Sequence, residues 1–185
     1  MPTNKVKYGL KKAYYSVLTD DGLGNITFAT PVAIPGAVNL SLSQQGEQNK
    51  FYADDIAYFV SSSNDGYQGD VEFALIPESF RKDVLGETLD PTDKILIEKN
   101  NVEPKAFALL FEFDGDAKAT RHVLYNCTCT RPNVASSTKN NTITPATETL
   151  TITAAALPDG TVKASTTENT PDATYNAWFT SVWTA

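Results

Sequence analysis

Three groups of residues have the types that carry chemistry. Cys127 and Cys129 form a C-x-C pair shortly after His122, the only histidine of the chain. Thiolates and imidazole bind zinc, and a thiolate is also a nucleophile, but a closed zinc site needs about four ligands and no second cysteine pair is present. Residues two apart on a strand share a face at about 7 Å, too far for a ready disulfide. The pair therefore reads as two reduced core thiols, with His122 on the opposite face of the same strand and no acid or nucleophile that the sequence sets beside it. Asp54 and Asp55 are adjacent carboxylates preceded by Phe51 and Tyr52. Acid–base pairs must face each other across a substrate, whereas neighbours on a strand point apart. Gly22-Leu23-Gly24, flanked by Asp20, Asp21 and Asn25, lacks the third glycine and following helix of a phosphate-binding loop, so it reads as a turn. With no Gly-x-Ser-x-Gly and no phosphate loop, no catalytic, cofactor-binding or metal-ligating residue is expected, and no cofactor.

The elements that carry these residues are mostly strands. Residues 5–18 place Val6, Tyr8, Leu10, Tyr14 and Leu18 on even positions against Lys5, Lys7 and Lys11, which predicts a half-buried strand. Val32, Ile34, Val38, Leu40 and Leu42 continue the alternation across a break at Pro35-Gly36, with Asn39, Ser41 and Ser43 on the wet side. Residues 44–56 read as an exposed loop, polar at Gln44 and Glu47 and aromatic at its base. Beyond it Gln68, Asp70 and Glu72 alternate with Val71, Phe73 and Leu75, a strand with core on one face and acid on the other. Pro77 stops that strand, and Phe80, Val84 and Leu85 give a short helix near residues 78–85 an apolar stripe ended by Gly86.

KILIEK and AFALLFEF follow as strands, the latter with Phe107, Leu109, Phe111 and Phe113 on one side, and KATRHVLYNCTCT returns as its hairpin partner. Residues 132–147, rich in Pro, Ser, Thr and Asn, predict a surface loop. TETLTITAAAL and TVKAST read as a hairpin around Pro158-Asp159-Gly160. DATYNAWFTSVW reads as a last strand with Tyr175, Ala177, Phe179 and Trp183 inward.

With 185 residues, 41% hydrophobic and 20% charged, the chain fits one globular domain, 1–185. A net charge of -7 excludes a protein that grips nucleic acid through phosphate contacts. The opening MPTNKVKYGL has no apolar stretch of a secretion signal, and no run is long enough to span a membrane, which predicts a chain made and kept in the cytosol.

Taken in order, these pieces resemble the major tail proteins of long non-contractile phage tails, of the type common in phages of Gram-positive bacteria. The likeness is carried by Lys7-Tyr8-Gly9-Leu10-Lys11, Gly36 to Leu42 followed by Phe51-Tyr52-Ala53-Asp54-Asp55, the helix ending Asp83-Val84-Leu85-Gly86, the AFALLFEF hairpin, and the Thr-rich close with Tyr175 to Trp183. The resemblance implies a mainly β protein, a β-sandwich or barrel-like tail-tube fold with one short helix. It implies a structural virion protein whose six-fold rings stack into the tube that delivers DNA. Its partners would be itself and the tape-measure, tail-tip and tail-terminator proteins, with DNA passing unheld, no membrane contact, and assembly in the host cytoplasm. On this reading Gln44, Glu47, Phe51, Tyr52, Asp54 and Asp55 form a ring-stacking loop, and Gln68, Asp70 and Glu72, or the neighbouring Asn39, Ser41 and Ser43, face the lumen. The competing class is a monomeric β-sandwich that binds carbohydrate or protein through surface aromatics such as Tyr58, Phe59 and Tyr67.

Overall fold

The structure, a computed structural model, describes residues 4–138 and 145–185. In chain order its strands are β1 (Lys7–Asp20), β2 (Ile26–Phe28), β3 (Val32–Ile34), β4 (Ala37–Gln45), β5 (Gln48–Ala53), β6 (Ile56–Ser62) and β7 (Gly66–Phe73). Helix α1 (Glu78–Asp83) is followed by β8 (Thr88–Leu89), β9 (Leu96–Ile97), β10 (Phe107–Gly115), β11 (Thr120–Cys129), β12 (Glu148–Ala155), β13 (Lys163–Ser165) and helix α2 (Asp172–Ala177). The protein is mainly β, built on a large antiparallel sheet ordered β2-β1-β10-β11-β12-β7-β4, with β3 paired to β1 and β13 to β11.

The sheet curls around one core. Tyr15, Ile34, Phe73, Phe107, Leu109, Leu124, Cys127, Leu150 and Ile152 come from strands along its whole width yet share one buried cluster, so opposite halves face each other as in a sandwich. The barrel does not close, because β2 and β3 on one edge do not pair with β4 on the other. Pro35 and Gly36, the latter at φ 79, make the corner between β3 on one edge and β4 on the other. Helix α1 closes one end of this core: Phe80 packs edge-on against Tyr15 and Phe107, and the Tyr15 hydroxyl donates to Asp83 at 2.8 Å. The helix ends at Asp83, two residues short of the expected Leu85, and the chain turns away through Val84 and Leu85 to Gly86 at φ 73.

A second cluster lies on the other face of β10 and β11, where Ala108, Leu110, Val123 and Tyr125 are covered by Trp178. Strand β10 is therefore buried on both faces, with core residues at every position from Phe107 to Phe111.

Several local expectations are corrected. The tail expected as a strand with Tyr175, Ala177, Phe179 and Trp183 inward is instead α2 and a following turn. Helical spacing then brings Tyr175, Trp178, Phe179 and Val182 toward the sheet, so the described residues hold two short helices. Arg121 fixes this cover: its guanidinium lies 3.7 Å from the Tyr175 ring centre, and its Nε donates to the buried carboxylate of Glu112 at 2.8 Å. Helix α1 packs on the inner core through Phe80. TETLTITAAAL and TVKAST do not form a hairpin: β12 and β13 both run antiparallel to β11, one after the other along the same edge, with the Pro158-Asp159-Gly160 turn as an excursion between them.

The phase of β1 slips between Lys11 and Tyr14, where Lys12 has φ 53. Ala13, Tyr15 and Val17 thus face the core, and Val6 and Tyr8 are exposed. Strand β7 stops at Phe73, which leaves Leu75 exposed and puts Ile76 in the core. KILIEK keeps only the short β9, paired with β8. The expected surface loop 132–147 is irregular up to residue 138 and again from 145, and its residues 139–144 lie outside the described residues.

Candidate functional site

The acidic strand sits where alternation predicts. Gln68 and Asp70 are exposed and Glu72 half-buried, while Val71 and Phe73 face the core. Register joins the two expected lumen candidates into one surface: Gln68 lies opposite Ser43, Asp70 opposite Ser41 and Glu72 opposite Asn39. On the other side of β7 the partners are Thr153, Thr151 and Thr149, and Thr128 continues the row on β11. The Thr151 hydroxyl donates to Asp70 at 2.8 Å, and Thr147 bonds Glu72. The result is a face of short hydroxyl and amide side chains that, among the described residues, carries two carboxylates and no cation. The Thr row was not among the sequence candidates, although the alternation of Thr149, Thr151 and Thr153 with Leu150 and Ile152 was its signal.

Residues 44–56, expected as a loop, belong largely to a two-stranded ribbon. Strands β5 and β6 pair only with each other, and Gln44 and Glu47 sit at the base, where the Glu47 amide donates to the Ser63 hydroxyl at 2.9 Å. At the tip, Ala53 pairs with Ile56, and Asp54 and Asp55 hold φ 53 and 59. Two successive left-handed residues make a type I′ turn, the reversal whose twist suits a ribbon. The paired carboxylates are thus turn residues at an exposed tip.

The ribbon's side chains are unusual for solvent. Phe51, Tyr52, Ile56, Tyr58, Phe59 and Val60 are each at least 45% exposed. Register places Phe51 beside Phe59 on one face, and Tyr52 and Val60 on the other, with a slip at Tyr58. Both faces are apolar, and neither is covered among the described residues. Ile56, Tyr58, Phe59 and Val60 extend the expected contact, and the signal was an apolar run without alternation.

The remaining candidates have no reactive arrangement. Burial pushes the thiols of Cys127 and Cys129 up to about 12, so neither forms a thiolate near neutral pH. His122 is not on the opposite face: a bulge sets Phe107 against Cys127 but Leu109 against Leu124, so His122, Leu124 and Cys127 all face the first core. Its ring stacks on Phe111 at 5.2 Å. Burial, with the nearby charges of Lys163 and Lys7, lowers its pKa to about 4. Among the described residues no cluster of ligating side chains could hold a metal ion, and no helix is long and apolar enough to cross a membrane.

A curled sheet with an apolar ribbon and a polar face that are respectively uncovered and cation-free among the described residues suits assembly rather than chemistry. The family described as phage tail tube protein matches residues 2–183. The chain belongs to the phage tail tube protein family. No curated protein matches it. A tail tube protein is a structural component of the virion, which implies a non-enzymatic role, and it assembles with other tail components into a tube.

Proposed function

We propose that this tail tube protein acts as one domain, 1–185, the protomer of hexameric rings that stack into the tube of a long non-contractile tail. The observation that carries the reading is the β5–β6 ribbon. An isolated two-stranded ribbon is marginal in water, and one with apolar side chains on both faces needs a partner on each. A neighbouring ring supplies it: Phe51, Tyr52, Tyr58 and Phe59 enter the ring-to-ring contact, with Asp54 and Asp55 at the leading edge and Gln44 and Glu47 at the base.

The face of Gln68, Asp70 and Glu72, with Asn39, Ser41 and Ser43 beside it, lines the lumen. Its carboxylates repel phosphate and its hydroxyls offer no cation to hold it, so DNA passes without specific binding. Tape-measure, tail-tip and terminator proteins are the other partners, and assembly takes place in the host cytoplasm.

The test is Phe51→Ala combined with Tyr52→Ala. Both side chains are solvent-exposed in the protomer, so the variant keeps the wild-type circular dichroism and melting temperature but forms no tubes by electron microscopy. Tubes at the wild-type yield would remove the ribbon from the contact, and glycan binding by a protomer that stays monomeric would favour a binding module.

A further inference from the structure

The core is closed at one end and open at the other. Helix α1 fills the end near Tyr15 and Phe107. At the opposite end a cavity of about 250 Å³ remains, with Leu40, Leu42, Phe111 and Phe113 on its floor and Lys7 and Lys163 at its rim. Lys7 lies 5.5 Å from the Phe113 ring centre and Lys163 4.5 Å from that of Tyr67. Among the described residues neither lysine has a carboxylate partner. This is an apolar socket edged by two free cations.

The matching shape lies at the other end of β1. There the β1–β2 turn presents Leu23, 87% exposed, beside Asp20 and Asp21. The turn is preformed: Asp20 accepts the Gly22 amide at 2.8 Å, and Asp21 accepts the Leu23 amide at 2.8 Å and the Asn25 side chain at 2.7 Å. No intrachain cation pairs with either carboxylate among the described residues. Lys7 begins β1 and Asp20 ends it, 14 residues that span on the order of 40 Å at a strand's rise, so the turn cannot reach the socket of its own chain.

We propose that the Leu23 turn of one copy docks into the Lys7–Lys163 socket of the next copy along the tube. Leu23 enters the apolar floor, and Asp20 and Asp21 meet the two lysines. A contact between opposite ends of identical chains is heterologous and repeats without closing, the geometry of axial growth. Charge complementarity of this kind sets register and direction as well as attraction. The inference rests on the tube reading and adds to it a second axial contact, independent of the ribbon.

The experiment pairs Leu23→Cys with Lys163→Cys, two exposed thiols against a background in which Cys127 and Cys129 are buried. Equal mixtures of the two single variants, assembled and mildly oxidised, give a covalent dimer that neither gives alone, and chains carrying both substitutions give a ladder of oligomers. In parallel, Asp20→Asn with Asp21→Asn keeps the Oδ1 acceptors of the Gly22 and Leu23 amides but removes the turn's charge, and Lys7→Glu with Lys163→Glu reverses the socket. Each lowers tube yield at least roughly tenfold while rings persist. Tubes without the cross-link, closure of the disulfide within one chain, or wild-type tube yield from the Lys7→Glu, Lys163→Glu protein would overturn the docking and leave the tube reading standing. Absence of rings and tubes from the wild type would count against the tube reading itself. In that case the cross-link in concentrated mixtures would still support end-to-end docking, and its absence would overturn it.

Discussion

His122 is the clearest case of a residue whose role is set by packing. Stacked on Phe111 and facing the core, its ring is held neutral, with a pKa near 4 against an ordinary 6.5. Above pH 6.5 both folded and unfolded chains carry it neutral, so its contribution is fully present. As pH falls from 6.5 toward 4 the unfolded chain takes the proton first, and stability drops, by about 1–2 kcal/mol once the partial solvation of the ring is allowed for. Denaturant titrations between pH 7 and 5 should show this slope, and His122→Gln should flatten it; an unchanged slope would mean that other groups carry it. The sequence identified His122 as inert but put it on the wrong face, because a bulge between Leu124 and Cys127 shifts the strand phase and alternation alone does not reveal where a bulge falls. Asp54 and Asp55 were legible as an unpromising catalytic pair. Their service as a left-handed turn was not, since Asn-Gly rather than Asp-Asp is the usual signal.

At the scale of elements, the C-terminal segment shows what the sheet needs. Strand β10 would expose Ala108 and Leu110 if nothing lay over them, and α2 with its following turn supplies Trp178 as cover, clamped by Arg121 and by the Tyr125 hydroxyl, which donates to the Trp183 carbonyl at 2.8 Å. Trp178→Ala should therefore cost about 3–5 kcal/mol, measured by chemical unfolding, because it opens a cavity over a buried strand. A loss under 1 kcal/mol would show that the cover is dispensable. That this tail must pack on the main sheet was readable from its aromatic content; that it does so as a helix was not. The spacing of Tyr175, Ala177 and Phe179 fits a strand, while Tyr175, Trp178 and Phe179 fit a helix, and a single amphipathic stretch of this length satisfies both periods. The acidic strand, by contrast, was legible up to Phe73 because the six residues from Gln68 to Phe73 run without a bulge in β7, and register then joined its two candidate wet faces into one.

At the scale of the whole molecule, an open curled sheet, a projecting ribbon and a polar face with no cation among the described residues make one assembling unit. The mainly β architecture was legible from alternation and turn residues spread along the chain, and the family from their order. The curl of the sheet, with β3 and β4 on opposite edges, depends on pairings distant in sequence and could not be read from local patterns. The lumen assignment makes its own prediction at this scale. Asp70→Lys with Glu72→Lys lies on the solvent side of β7, so tubes should still form, but they should retain short duplex DNA at low salt and release it as salt rises. Tubes of this variant that ignore DNA as the wild type does would place the face elsewhere. The central claim is tested most directly by cryo-electron microscopy of the purified, concentrated protein, with a tail-tip complex added as seed where assembly does not begin alone. Stacked six-fold rings with an open centre, Gln68, Asp70 and Glu72 toward the channel and the β5–β6 ribbon between rings, are the predicted result. A monodisperse monomer at every concentration, seeded or not, would contradict it.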